Sequence, residues 1–137
     1  MDNLNDLSKI GVSVSISLFC YDGGEKKILT VVNKKQPFKN ALILPNKIMR
    51  HDQSLEDVCS EILKENIGND KIYVEQLNAF GKVYRHPEGR IIDISFYGLI
   101  NLEKDSVVLN VENNAKFVNL ESNPELAFDH NEMIDMG

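Results

Sequence analysis

Three arginines in two short stretches, Arg50 in "RHDQ" and Arg85 and Arg90 in "YRHPEGR", carry the most suggestive chemistry of this 137-residue chain. A guanidinium presents a planar fork of donors that grips a phosphate or carboxylate through two bonds. Arg85 and Arg90 flank a tight turn, so across a hairpin one anion would meet both. Tyr84, Phe80 and Tyr97 offer aromatic faces on which a base or sugar would stack. The plainer alternative is that these are surface arginines paired with Asp93 or nearby glutamates. Glu56, Glu61, Lys64 and Glu65 form a second polar group on one helical stretch, left for solvent or for a site. His51 and His86 read as loop residues, since no Cys or His partner stands at zinc-site spacing. His130 is expected to support a terminal helix rather than act as a base.

The elements that must position these groups follow from local pattern. In "LPNKIMRHDQSLEDVCSEILKENIG", Ser54 and Asp57 make a capping-box pair, so a helix is expected to start within about two residues of Ser54. Leu55, Val58, Cys59, Ile62 and Leu63 recur with a 3.6-residue period and should face a sheet, and Gly68 ends the run. "VSVSISLFCY" alternates as a strand with one buried face and one lightly polar face, and "DGGEKK" turns it into the returning strand "ILTVV". A short strand at Leu42 to Leu44 should end near Pro45. A second hairpin runs through "KIYVEQLNAFGKVYR" and "RIIDISFYGLI", with a bulge or bend expected at Gly81. Weaker strands are expected at Val107 to Leu109 and Ala115 to Leu120, and a closing helix capped by Asn123 with Pro124 at its first position. This order favours a mixed sheet with helices against it.

Composition bounds the partners. Apolar residues are 42% and charged residues 26% of the chain, the usage of an ordinary folded domain, and the length suits one domain over residues 1–137. A net charge of −6 speaks against a broad phosphate-tracking surface, so direct nucleic-acid binding by this segment is not expected. Cys20 and Cys59 read as small core residues suited to a reducing cytoplasm, and the sequence shows no export signal or membrane span.

The helix stretch, with the hairpin before it and "LNAFGKVYRHPEGRIIDISFYGLI" after it, resembles the Nudix family over about residues 10 to 135. The resemblance is nearer to the Nudix-related domains at the front of bacterial regulators of nicotinamide or sugar metabolism, beside the ADP-ribose pyrophosphatase-like enzymes. It implies an α/β/α sandwich around a mixed sheet. In active members a loop, helix and loop bind magnesium and hydrolyse a nucleoside diphosphate linked to another group. Laid on this chain, the family pattern puts its first glycine at Lys47, its first glutamate at Gln53, its arginine at Glu61 and its later glutamates at Ile62, Glu65 and Asn66. Leu63, Glu65 and Gly68 match. Magnesium needs several hard oxygen ligands, and Ile62, Glu65 and Asn66 offer one carboxylate and one amide.

The reading that follows is a catalytically degenerate Nudix-like domain serving as a small-metabolite sensor or dimerisation module of a transcription regulator. No catalytic, cofactor or metal residue is assigned. The ligand-binding candidates are Arg50, Glu65, Arg85 and Arg90, with both Arg85 and Arg90 expected to border the cleft. The ligand would be a nucleotide-sugar, a sugar or a phosphorylated metabolite, and a homodimer is expected. The alternative is a magnesium-dependent hydrolase of a substrate such as ADP-ribose, which would need further carboxylates, with Glu75, Glu112 and Glu121 as loosely placed candidates. The regulators carry a winged-helix domain after the Nudix-like part, for which the sequence to "DHNEMIDMG" has neither room nor basic character. The chain thus reads as a segment of a longer regulator or as a stand-alone relative.

Overall fold

The computed structural model describes residues 10–35, 38–80, 90–122, 124–127 and 130–131. Its centre is β1 (Ile10–Asp22), thirteen residues long, which turns through Gly23 and Gly24 into β2 (Glu25–Val32). Both glycines have positive φ, as a two-residue hairpin of matching twist requires. Then follow β3 (Leu42–Ile43), β4 (Asn46–Ile48), the helix α1 (Leu55–Ile67), β5 (Val74–Phe80), β6 (Arg90–Ile100) and β7 (Lys116–Asn119). The sheet runs β3-β2-β1-β6-β5, with β4 also on β1 and β7 on β2. It is mixed: β1 and β6 are parallel, and the other pairs are antiparallel.

Two strands differ from the sequence reading in an instructive way. The chain does not leave the sheet at the buried Pro45: it resumes as β4, which pairs with the first half of β1, the half that β2 leaves open. Residues 107–109 are not a strand. Their backbone, with the loop that follows, closes the helix: Val108 N–H donates to Ile67 O at 2.9 Å, and Asn110 donates from its backbone to Asn66 O at 3.0 Å and from its side chain to Glu65 O at 2.8 Å. These are carbonyls of the last turn, which have no intrahelical donor.

The two faces of the sheet carry separate cores. On one, Val14, Ile16 and Leu18 of β1 meet Val58, Cys59, Ile62, Leu63 and Ile67 of α1, with Leu55 partly buried beside them. On the other, Phe19, Ile28, Leu44 and Leu126 pack with Phe80 and Tyr97. The lightly polar serine face of β1 is buried as well. Ser13 and Ser15 donate to the two carboxylate oxygens of Asp93, each at 2.6 Å. Asp93 is therefore an interior acceptor for these two hydroxyls.

The bulge of the second hairpin falls between Gln76 and Asn78, and Gly81 lies outside the described residues. Pro124 to Ala127 do not begin a helix. Leu126 instead bridges to Leu42, and Asn131 satisfies this stretch in a non-helical form, accepting from Leu126 N–H and donating to Pro124 O, both at 2.9 Å. Residues 130 and 131 are helical; Asn123, residues 128–129 and residues 132–137 lie outside the described residues.

Candidate functional site

The polar face of α1 is organised by two cations that come from the chain just before it. Lys47 pairs in register with Val14, a residue of the helix-side core, so its side chain rises toward α1. Its ammonium lies 3.3 Å from Glu61 Oε2 and makes an ion pair with Glu65 Oε1. Arg50 donates to Glu61 Oε1 at 3.0 Å and lies 3.8 Å from Asp52. Gln53 ties the loop to the helix, donating to Glu61 Oε1 at 2.7 Å while its own carbonyl accepts from Arg50 N–H at 3.0 Å.

The charges respond to this arrangement. The hydrogen bond from Arg50, helped by Lys47 and opposed by desolvation, holds the Glu61 carboxyl below the ordinary carboxylate range. Burial pulls the Lys47 ammonium down, but its bonds to Glu65 and Glu61 outweigh that and leave it raised. Both shifts favour the charged forms of Glu61 and Lys47, so this pair stays ionic over the ordinary pH range.

Ser54 caps α1 as the capping-box pattern requires, with both reciprocal bonds made, and Gly68 closes it at φ +67° with its N–H on Lys64 O. This places Ile62 in the core at 1% exposure and Asn66 beside it at 6%. Asn66 is engaged at both ends: its amide nitrogen donates to Ile62 O at 2.9 Å and its oxygen accepts from Asn113 at 3.1 Å. As a donor set for magnesium the face fits poorly. Ile62 presents carbon, Asn66 is committed within the protein, and Glu65 holds a lysine. Among the described residues no three His, Cys, Asp or Glu side chains converge as metal ligands.

The sequence-proposed residues separate accordingly. Arg50 and Glu65 share the helix face. Arg90 opens β6 opposite Ile10, and Arg85 and Tyr84 lie outside the described residues, so the expectation that both hairpin arginines border a cleft falls there too. Phe80 and Tyr97 pack on the sheet face away from α1. Glu75, across from Tyr97, accepts from Tyr97 at 2.6 Å and Tyr73 at 2.8 Å, bonds that lower its carboxyl. His51 is exposed and His86 lies outside the described residues. His130 is buried and accepts from Leu44 N–H on Nδ1 at 2.9 Å, which ties the C-terminal segment to the sheet.

Sequence reasoning missed the centre of the cluster. Glu61 reads as a solvated helix residue and Lys47 as a lost glycine, yet they are its hub. The signal was present as an inverted charge pattern, with Gln53 and Glu61 where the family has glutamate and arginine, and a new base at Lys47.

Solved structures align with this architecture closely. The NUDIX domain of Shewanella oneidensis NrtR complexed with ADP ribose superposes with a TM-score of 0.79 at 24% identity, covering 98% of this chain and 90% of that one. The S. oneidensis NrtR structure reaches 0.77 at 26% identity over 91% of this chain and 60% of its own. The domain has the Nudix fold. Its likeness to the Nudix domains of regulators extends to sequence: the ADPR responsive transcriptional repressor NtrR of Acinetobacter baylyi is 28% identical over 127 residues, 90% of this chain and 51% of the repressor. The ADP-ribose pyrophosphatase of Methanocaldococcus jannaschii is 29% identical over 113 residues, 80% of this chain and 64% of the enzyme. The chain thus spans about half to just under two thirds of these curated relatives. No family model matches it. None of the described helices is long and apolar enough to cross a membrane.

Proposed function

We propose that this Nudix domain is a ligand-responsive module of a transcription regulator, one that keeps the fold without magnesium-dependent hydrolysis. The observation that carries the reading is the lysine between Glu61 and Glu65, where clustered carboxylates would be needed to hold a metal. The names of its relatives supply the ligand class. A repressor responsive to ADP-ribose and a Nudix domain complexed with it point to a nucleoside diphosphate sugar. Arg50, Arg85 and Arg90 are the guanidinium candidates for its phosphates, and Glu65 is a candidate contact for its hydroxyls. The module acts in the cytoplasm as a homodimer. DNA contact belongs to other parts of a regulator, since the net charge of this chain is −6.

The hydrolase reading has one specific support, the pyrophosphatase of M. jannaschii. It requires at least two further carboxylates at the helix face. Glu75 does not supply one, because two tyrosines hold it in a hydrogen-bonded group with Tyr97, a residue of the opposite core.

Calorimetric titration with ADP-ribose, nicotinamide nucleotides and simple sugars, in magnesium and in EDTA, tests the proposal. Saturable binding of one of them in EDTA without breakdown supports a sensor. Magnesium-dependent turnover points to the enzyme, and no binding of any of them removes the sensor role from this chain.

A further inference from the structure

The helix face is electrically complete without any added ion. Glu61 takes hydrogen bonds from Arg50 and Gln53 on Oε1, its buried Oε2 has no hydrogen bond among the described residues but faces the Lys47 ammonium at 3.3 Å, and Glu65 gives Oε1 to the same ammonium. Two carboxylates and two fixed cations make a neutral group, with Asp52 at its edge. Glu61 and Glu65 are four residues apart on α1, a spacing at which like charges repel. A positive group standing between them relieves that repulsion. Lys47 is delivered there by the β1–β4 register, from a different element and without help from helix periodicity.

We propose that Lys47 is a built-in cation which takes the place of a divalent ion at this face, neutralising Glu61 and Glu65 and closing the face to metal. The inference rests on the non-hydrolytic reading above and names the residue that enforces it. A dication approaching Glu65 would meet the ammonium already between the carboxylates and the Arg50 guanidinium beside it. The lysine would have to leave, giving up its ion pairs with both Glu61 and Glu65. Exclusion is thus a property of β4, and replacing Ile62 or Asn66 alone does not reverse it. Lysine suits the role as a compact, strongly hydrated point charge with three donors on a flexible stem.

The test is thermal unfolding of the full chain in EDTA and across a Mn2+ titration, with bound Mn2+ read by electron paramagnetic resonance. Wild type and Lys47→Arg should be indifferent to Mn2+. Lys47→Glu converts the ion pair into three facing carboxylates. It should melt lower in EDTA and gain roughly 5 °C at Mn2+ ten times above its dissociation constant, by mass action on the folded state. That gain should disappear in Lys47→Glu combined with Glu65→Gln. If Lys47→Glu does not fold under any condition, Lys47→Gln decides: a Mn2+-dependent rise in Tm supports the inference, and indifference overturns it. A folded Lys47→Glu protein indifferent to Mn2+ overturns it, as does a wild-type protein stabilised by Mn2+ through Glu65. No sample contains a nucleotide, so failure here is distinct from failure of the sensor reading, which is scored by ligand binding and turnover.

Discussion

Glu61 shows how one side chain sets the electrostatics of a helix face. Its carboxyl is held below its ordinary value of 4.5, so its contribution to stability is complete above that pH and is lost as pH falls through the depressed folded value. Lys47 has the opposite sign. Its raised ammonium contributes fully below 10.5 and loses that contribution as pH rises through the folded value. Denaturant unfolding from pH 3 to 7 (roughly the carboxylate range) should therefore show a shallower acid loss for Glu61→Gln than for wild type. Part of the loss remains, because Glu75 is also depressed. Glu65 is half exposed, so Glu65→Ala should cost less than about 1 kcal/mol in the same measurement. The buried serines of β1 divide in the same way. Ser17 Oγ has no hydrogen-bond partner among the described residues, and Ser17→Ala should be neutral or stabilising. Ser13→Ala should cost roughly 1.5–3 kcal/mol, since it takes a donor from the buried Asp93 carboxylate.

At the scale of elements, α1 is the piece most fully written in its own residues. Its cap, stripe and terminal glycine are all short-range signals, and Ser54→Ala should lower unfolding free energy by about 1 kcal/mol through loss of the capping box. Ile62→Ala should cost about 2–5 kcal/mol, which would confirm by chemical denaturation that the position belongs to the core and not to a metal face. The first hairpin was equally legible from Gly23 and Gly24, and the β5–β6 pairing from the Ile, Phe and Tyr of β6. What escaped was decided across elements. β4 is three residues long and exists because half of β1 needed a partner. The 107–109 stretch has strand-like residues but spends its backbone on the helix carbonyls. The lysine-centred cluster depends on β4, so it was hidden with it: Glu61 is ordinary until the register aims Lys47 at it.

Across the whole molecule, a single mixed sheet separates two cores, and the site chemistry belongs to the helix side. The opposite side is joined to the C-terminal segment through Leu126 on Leu42 and through His130 on the Leu44 amide. His130→Ala leaves a buried N–H without its acceptor and should cost about 1–3 kcal/mol in chemical unfolding. The proposed function rests on the other face, where a lysine stands among the carboxylates. The claim that this fold has no magnesium chemistry is tested most directly by incubating the protein with ADP-ribose and Mg2+ at neutral and mildly alkaline pH and separating the nucleotides. The account predicts intact ADP-ribose for wild type and for Glu65→Ala alike. Release of AMP that requires Mg2+ and is lost in Glu65→Ala would contradict it.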